Sequence, residues 1–455
     1  MDAVAILIIT LVFITVLAFS RKVPIFLTLF SGAVLMGLLA GFGYEQVINW
    51  TIKGIGSTFT GFAVVILSGI VIVRLLYDQG LLDIIISGLS FGTKDRGINA
   101  GILGYILAIP TTCCMTTYMM LAPAMKKDGD INPKSNRPLY LLAVGSIISY
   151  VLIFPTPVTM PILTSLAPDY SIFNLDAITI PISLGVLVII MLLFRFLYRS
   201  TKETGEEKGG DNGANKVGDA GGDINAEPVE SAEPVKTEKI SLNLKLRAWA
   251  PFIAMIVTML AGFFIFHLSH IIIMQTIMLA GLITALALAP ADIRMKSFSE
   301  GAKFAGLILF DLCAAGAIGR VIRESGLASG ITDSMIPVLP DIMIPFIVTA
   351  IFAIAQGSRV TTAVIASEII AASGLAATIH PIPMILMIAA GTCFVVFFTD
   401  PYFWLVQKTT GDDIKTVLKN YTLPLAVAAV IIFVVALLLT AFFFPYVEDA
   451  ALLMG

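Results

Sequence analysis

The segment AQGSRVTT at 355–362 lies between two apolar arms, 342–355 and 360–372. Neither arm has the roughly 20 helical residues that are needed to cross the hydrocarbon core of a membrane. A chain with this pattern enters the membrane and turns back. Polar residues at the tip of such a hairpin are tolerated only where protein or a water-filled cavity satisfies them. The pattern therefore predicts a re-entrant helical hairpin whose tip lines a binding site.

Composition supports a membrane setting for this hairpin. Hydrophobic residues make up 58% of the chain and charged residues 13%, and apolar runs recur at membrane-spanning length. This indicates an all-α polytopic membrane protein in contact with lipid, and excludes a soluble enzyme and a nucleic-acid-binding surface. The four cysteines lie in apolar runs and there are three histidines, so we expect no metal site, no cofactor and no catalytic constellation. Residues 1–19 have no basic n-region, so we expect them to form a span of the mature protein rather than a signal peptide.

The apolar runs predict two similar halves. The first has spans near 3–19, 24–40 and 62–77, an amphipathic piece through Leu89, a hairpin of arms 98–109 and 112–125 broken at Pro110, a span 139–166 interrupted at Pro155-Thr156-Pro157, and a span 178–197. The second has spans 250–266, 271–288 and 304–322, the hairpin described above, a span 382–398 broken at Thr399-Asp400-Pro401, and a span 423–444. The polar, Gly- and Glu-rich stretch between them is a flexible linker. The predicted domains are 1–199, the linker 200–245, and 246–455.

A constant register relates the halves. The segment that begins at Arg74 resembles the one that begins at Arg320, an offset of 320 − 74 = 246 positions. The same offset carries Pro110 to Gln356 at the other hairpin tip, and Pro155 to Pro401 at the other break. One offset thus aligns both kinds of discontinuity, which indicates an internal duplication.

The orientation of the halves follows from counting spans. Five full spans and one hairpin in each half is an odd number of crossings, so the second copy is inverted relative to the first. Most Lys and Arg residues then fall on the face that carries the linker, and the opposite face has only Lys53, Arg320 and Arg323. By the positive-inside bias the linker is cytoplasmic and both termini are outside. Inverted repeats with broken helices are typical of secondary transporters, whereas a channel would need a continuous polar pore.

The motifs also carry a family resemblance. The segments AQGS (355–358), FTDPYFWLV (398–406) and KTVLK (415–419), with Pro155-Thr156-Pro157 and Ile109-Pro110, resemble the gluconate permease (GntP-type) family of the ion transporter superfamily. The resemblance implies proton-coupled uptake of a small hydroxycarboxylate such as gluconate, an inner-membrane location, an elevator-like fold with paired hairpins, and a homodimer. The alternatives are a sodium-coupled carboxylate or amino acid carrier and an ion antiporter. Departures from the family pattern at 111–114, at Arg359 and at the late break leave the substrate open.

The discontinuities supply the candidate substrate-binding residues. At the second tip, Gly allows a close backbone approach and the following helix points its N-terminal amides at the site. For the other positions the alternative is local structure, a turn or a helix kink without a ligand. The candidates are Thr111, Thr112, Pro155, Thr156, Gln356, Gly357, Ser358, Arg359, Thr399 and Asp400.

Three intramembrane acids are candidates for proton coupling: Asp400, Asp311 and Glu368. A carboxylate at membrane depth is costly unless it is paired or takes up a proton. Arg359 is predicted to lie at the membrane midplane, where it must also be paired. It either holds a substrate carboxylate through its planar fork of donors or forms a permanent ion pair with Asp400 or Glu368.

Overall fold

The computed structural model describes residues 2–20, 23–88, 95–125, 136–203, 242–394 and 399–444. These ranges are almost entirely helical and contain no strand, which confirms the all-α prediction. Residues 204–241, most of the predicted linker, lie outside the described ranges, as do Leu89 and residues 395–398 next to the late break.

In the first half the helices are α1 (Ala3–Ser20), α2 (Ile25–Leu39), α3 (Tyr44–Asp78), α4 (Leu81–Gly88), α5 (Arg96–Thr111), α6 (Cys114–Met125), α7 (Arg137–Leu152), α8 (Thr159–Leu166) and α9 (Ile172–Glu203). In the second half they are α10 (Leu242–Phe264), α11 (His270–Leu288), α12 (Ala291–Glu324), α13 (Leu327–Met335), α14 (Ile344–Gln356), α15 (Arg359–Ala372), α16 (Leu375–Thr378), α17 (Pro381–Cys393), α18 (Pro401–Thr410), α19 (Ile414–Val417) and α20 (Leu423–Phe442). A π-helical turn, Leu418–Thr422, leads into α20.

Several helices are suited to crossing a membrane. Within the described ranges, five helical stretches are long and apolar enough to do so: α3, the part of α9 up to Phe196, α10 from Asn243, α12, and the run Ile414–Phe442. Other apolar helices, among them α1, α2, α7, α14 and α17, are shorter. The chain is therefore a membrane-spanning helical protein.

The helices α3 and α12 are longer than the sequence predicted. They begin at Tyr44 and Ala291, not near 62 and 304, because their first turns are amphipathic rather than uniformly apolar. In α3, for example, Val47, Thr51, Gly54 and Thr58 are buried at a spacing of three to four residues, which marks one helix face. A helix of 35 residues is about 52 Å long, well over the roughly 30 Å of a hydrocarbon core.

These two long helices cross at close range and run in opposite directions. A Cβ at Gly54 would meet the backbone of Gly316 and Ala317, and a Cβ at Gly301 would lie 2.9 Å from Cγ2 of Val71. As α3 proceeds from 54 to 71, its partner on α12 thus moves back from 317 to 301. Helices α2 and α11 pack on this pair, and α1 and α10 pack on α2 and α11. We call α1–α3 with α10–α12 the crossing bundle.

Helix boundaries in the two halves recur at the offset that was found in the sequence. Adding 246 to the ends of α3 gives 290 and 324, and α12 is Ala291–Glu324. The same addition moves the start of α4 from 81 to 327, where α13 begins, and that of α6 from 114 to 360, one residue after the start of α15. These helix boundaries therefore repeat along the chain.

Both predicted hairpins are present. Helices α5 and α6 are joined at Thr112 and Cys113, with Thr112 in the left-handed region at φ 49°. Helices α14 and α15 are joined at Gly357, with φ 75°, and Ser358. The prediction that Pro110 breaks the first hairpin was wrong by two residues: α5 continues through it to Thr111, since Pro there removes only one hydrogen bond of the last turn.

Each hairpin packs on a broken helix. Helices α5 and α6 pack on α7, which is separated from α8 by the early break at 153–158. Helices α14 and α15 pack on α17, which ends at Cys393, and α18 begins at Pro401 after the late break. We call α5–α8 with α14–α18 the hairpin bundle. It meets the crossing bundle mainly where α15 packs along α12.

Candidate functional site

A buried ion pair joins the tip of the second hairpin to the late break. Arg359 is the first residue of α15 and Asp400 is the N-cap of α18. Nη2 of Arg359 lies 3.0 Å from Oδ2 of Asp400, and the two side chains are only 5% and 2% exposed. The other carboxylate oxygen, Oδ1, accepts a hydrogen bond of 2.9 Å from the backbone N–H of Tyr402. Asp400 therefore caps α18 and neutralises Arg359 at once, which is how a buried charge is accommodated.

Tyr421 closes this pair into a network. Its hydroxyl donates to Oδ2 of Asp400 over 2.8 Å and accepts from Nη2 of Arg359 over 3.2 Å. The residue lies in the π-helical turn before α20 and is fully buried. The sequence prediction missed Tyr421. A usable signal was present, since Asn420, Tyr421 and Thr422 form a polar group just ahead of an otherwise apolar run.

Gly357 brings the hairpin tip into backbone contact with the late break. A Cβ at this position would meet the carbonyl of Thr399 and lie 2.6 Å from the amide nitrogen of Asp400. The hydroxyl of Thr399 donates to the carbonyl of Ile354 on α14 over 3.1 Å. Ser358 caps α15 by accepting from the backbone N–H of Thr361 over 3.3 Å. Four of the predicted site positions, Gly357, Ser358, Thr399 and Asp400, thus meet here around Arg359, and Gln356 ends the adjoining helix α14.

One nitrogen of the Arg359 guanidinium, Nε, makes no hydrogen bond in this network. Both of the hydrogen bonds described above use Nη2. Its Nε is buried and has no hydrogen-bond partner among the described residues. Leaving such a donor unpaired costs about 1–3 kcal/mol. The network therefore leaves one donor, the Nε–H, for a further acceptor such as a carboxylate oxygen.

The first hairpin reaches the same region through aromatic contacts. The Tyr402 ring packs edge-on against Tyr118 of α6 at 5.4 Å, and against Tyr421 at 5.7 Å. The Tyr402 hydroxyl lies 2.9 Å from that of Ser146 on α7. Cys114, which follows the first tip, is within electrostatic range of both Arg359 and Asp400. The two hairpins and both broken helices therefore converge on one buried region.

Hydroxyl groups dominate the tip of the first hairpin. Thr111 is buried and its hydroxyl lies 2.6 Å from that of Thr117. The hydroxyl of Thr112 points at Gly69 on α3, where a Cβ would displace it. The buried hydroxyls of Thr112 and of Ser68 on α3 have no partner among the described residues. This tip therefore offers neutral oxygen atoms where the second tip offers a cation.

At the early break, by contrast, polar groups are used locally. The hydroxyl of Thr156 donates to the carbonyl of Tyr150 over 2.6 Å and lies 3.1 Å from that of Thr159. Next to Pro155, the backbone N–H of Phe154 donates to Asp176 on α9 over 3.0 Å. Asp176 was not among the sequence candidates, and its position inside the first turns of an apolar helix was the available signal.

The two other acids do not belong to the Arg359 network. Glu368, on α15, forms an ion pair of 2.7 Å with Arg323 of α12. Asp311, in the middle of α12, lies near the backbone N–H of Phe26 in the first turn of α2. The three candidate acids therefore lie in three different settings: a closed buried network, a contact between the two bundles, and a helix N-terminus.

Comparison with known proteins identifies the family. The model for the GntP family permeases matches residues 2–220 and 249–442. The chain belongs to the GntP permease family. The resemblance that was seen in the motifs at 355–358 and 398–406 is thereby confirmed. This family consists of permeases, which are transport proteins.

Two relatives of this GntP permease cover nearly its full length. An uncharacterized permease of Haemophilus influenzae is 24% identical over 437 residues, which is 90% of this chain and 87% of the relative. The high-affinity gluconate transporter of Escherichia coli is 22% identical over 450 residues, which is 93% of this chain and 96% of the relative.

Solved structures with a similar fold are also transporters. The YdaH transporter of Alcanivorax borkumensis has a TM-score of 0.50 at 15% identity, over 88% of this chain and 90% of that chain. MtrF of Neisseria gonorrhoeae, from a class of antimetabolite efflux pumps, has a TM-score of 0.56 at 14% identity, over 90% of this chain and 87% of that chain. At these identities the likeness concerns the fold of the GntP permease alone.

Proposed function

We propose that this chain is a secondary active transporter that couples a proton gradient to the uptake of gluconate or a related small hydroxycarboxylate. The observation that carries the proposal is the buried Arg359–Asp400–Tyr421 network, in which a cation with an unpaired Nε lies where a hairpin tip meets a broken helix. Support comes from family membership and from the gluconate transporter among the relatives. That relative's substrate is carried over to this chain as a proposal.

In this proposal Arg359 serves two partners at once. Asp400 and Tyr421 fix the guanidinium through Nη2, and its Nε edge receives the carboxylate of the substrate. The N-terminal amides of α15 add a favourable dipole for the same anion. The hydroxyls of Thr111 and Thr112 suit the substrate's own hydroxyl groups. Either pairing alone would leave part of the guanidinium unsatisfied.

The movement that we propose is of the elevator type, with inverted repeats. The antiparallel crossing of α3 and α12, together with helix boundaries that recur after 246 positions, supports two halves of opposite orientation. The crossing bundle then forms the stationary part and the hairpin bundle carries the site across the membrane. We further propose an inner-membrane location, a cytoplasmic linker, outside termini and a homodimer.

Sodium coupling is the second candidate, because buried oxygen atoms could hold a cation. The hydroxyls of Ser68, Thr112 and Thr116 are buried and without partners among the described residues, and hydroxyl oxygens are ligands of hard cations. Sodium would in that case bind at the first hairpin, away from Arg359.

Flux in proteoliposomes separates these possibilities. The purified protein is reconstituted, and uptake of radiolabelled gluconate is measured with a pH gradient or a sodium gradient imposed separately. We expect accumulation with the pH gradient alone, and competition by other hydroxycarboxylates but not by amino acids. Accumulation that requires sodium supports the second candidate. Conductive flux that never exceeds the equilibrium distribution contradicts secondary active transport.

A further inference from the structure

The Glu368 side chain connects the hairpin bundle to the crossing bundle. Its Oε2 lies 2.7 Å from Nη2 of Arg323 on α12, and its Oε1 accepts a 3.4 Å hydrogen bond from Ser165 at the end of α8. Gly319 of α12 allows this approach, because a Cβ there would lie 2.9 Å from Cγ of Glu368. The ion pair therefore forms only while α15 lies directly on α12.

Few other charges surround Glu368. On α12, Arg320 is within electrostatic range and is itself paired with Glu324 one turn away. The helices α8, α14, α16 and α17, which also pack on α15, contain no Asp, Glu, Lys or Arg. Helix α13 contributes only Asp333, which is exposed. The charged groups nearest to Glu368 are therefore the two arginines of α12.

Accessibility separates Glu368 from Asp400. The side chains of the Glu368–Arg323 pair are 22% and 38% exposed, so both partners reach the surface of the protein, beside the last turn of α12. Asp400 is almost completely buried and accepts from three donors: Arg359, Tyr421 and the Tyr402 amide. A proton that arrives from water can reach Glu368 without opening the site, whereas protonating Asp400 would leave Arg359 as an uncompensated buried charge.

The first half has no equivalent of this ion pair. At minus 246 positions, Glu368 corresponds to Ala122 and Arg323 to Tyr77. In the described part of the chain, the first-half counterpart α6 packs on α5 and α7 rather than along α3 as α15 does along α12. If the hairpin bundle moves so that α6 takes up the equivalent contact, no charge pair is gained there and the Glu368–Arg323 pair is lost.

We propose that Glu368 carries the coupling proton and that its ion pair with Arg323 is a latch that holds the hairpin bundle against α12. A proton from water binds the carboxylate of Glu368 and removes its charge, so that Arg323 no longer holds it and α15 separates from α12. After the movement, Glu368 releases the proton to water on the other side. The empty, deprotonated carrier returns and the ion pair forms again. This inference rests on the proposed proton-coupled transport.

The test uses Glu368→Gln in proteoliposomes, with Glu324→Gln as a matched control on the neighbouring pair. With Glu368→Gln we expect loss of accumulation driven by a pH gradient and loss of substrate-dependent proton uptake, while exchange of labelled for unlabelled gluconate is retained. Glu324→Gln should keep all three activities, because its ion pair lies within α12. Proton-driven accumulation by Glu368→Gln, or equal losses in both variants, overturns the inference.

A second variant, Arg323→Gln, reports on the same proton without altering the carboxylate. Removing the nearby cation lets Glu368 bind a proton at lower proton concentration, so the pH midpoint of substrate-dependent proton binding should move upward by about one unit, and uptake should depend less on the pH gradient because the latch is gone. An unchanged midpoint contradicts the latch even if Glu368→Gln fails to fold. If the unmodified protein does not accumulate gluconate in a pH gradient, the proposed function fails instead, and this outcome is visible before any variant is compared.

Discussion

Replacing Arg359 by Lys tests whether one nitrogen of the guanidinium holds Asp400 and Tyr421 while another binds the substrate. The Lys ammonium keeps the charge and has three donors, so it can still pair with Asp400 and Tyr421. It has no counterpart of the Nε edge, which is unpaired in the structure. The predicted loss is therefore one charge-assisted hydrogen bond to the substrate, about 1.5–3 kcal/mol, which corresponds to a roughly 10- to 150-fold increase in Kd.

Stability should respond differently from affinity. Because Arg359→Lys preserves the buried ion pair, its thermal unfolding midpoint in detergent should stay close to that of the original protein. Arg359→Ala leaves Asp400 buried without a counterion and should lower the free energy of unfolding by about 3–5 kcal/mol. The contrast between the two variants separates loss of substrate binding from loss of the fold.

The assay is direct binding of gluconate to the purified variants by titration calorimetry. Arg320→Lys is the matched control, since Arg320 pairs with Glu324 within one helix and takes no part in the Arg359 network. We expect its affinity to be unchanged. Affinity for gluconate that is equally unchanged in Arg359→Lys would refute the role of the Nε edge and leave Arg359 as a purely structural charge.

Three further predictions concern the elements around the site. Gly357→Ala and Gly411→Ala both place a side chain at positive φ, costing about 1–2 kcal/mol, but only at Gly357 does the new Cβ also meet another backbone. Thermal unfolding should show an additional 1–3 kcal/mol loss for Gly357→Ala, within the usual range for overpacking, and equal losses would contradict the close contact. Asp311→Asn should keep proton-driven uptake, because Asp311 belongs neither to the Arg359–Asp400 pair nor to the Glu368–Arg323 pair; loss of coupling with gluconate exchange intact would make Asp311 the proton carrier. Shortening 204–241 to a flexible tether should leave uptake nearly unchanged, since this polar stretch has no apolar face to dock. Failure of a well-inserted shortened protein to transport would assign the linker a further role.

The fold was largely predictable from sequence because the membrane imposes few choices on a chain. Apolar runs of fixed length and breaks at Pro110, Pro155 and Pro401 located the hairpins and broken helices to within a few residues. The first turns of α3 and α12 were not predicted as parts of long helices. They carry Thr, Gly and Lys, and only packing against the other long helix shows why these residues are helical and buried.

The site was only partly predictable, because its contacts join residues that are far apart in the chain. The sequence could show that Arg359 needs a partner at membrane depth, but it left Asp400 and Glu368 as equal alternatives. The structure pairs Arg359 with Asp400, 41 positions away, and Glu368 with Arg323. Tyr421 was missed because the polar group 420–422 does not show which of its members contacts the site, and only the distances from the Tyr421 hydroxyl to both charged partners distinguish it.

Helix boundaries recur in the two halves of the chain, but the charged residues of the site are not repeated between them. At minus 246 positions, Arg359 corresponds to Cys113, Asp400 to Phe154, and Tyr421 to Leu175. The first half therefore contributes neutral hydroxyl and thiol groups at its hairpin tip, while the charges of the site all lie in the second half. A carrier that binds one anion needs one cation, and a second buried arginine at the first tip would require its own counterion. If the protein transports a single anion as we propose, helices that repeat and charges that do not repeat are what that function requires.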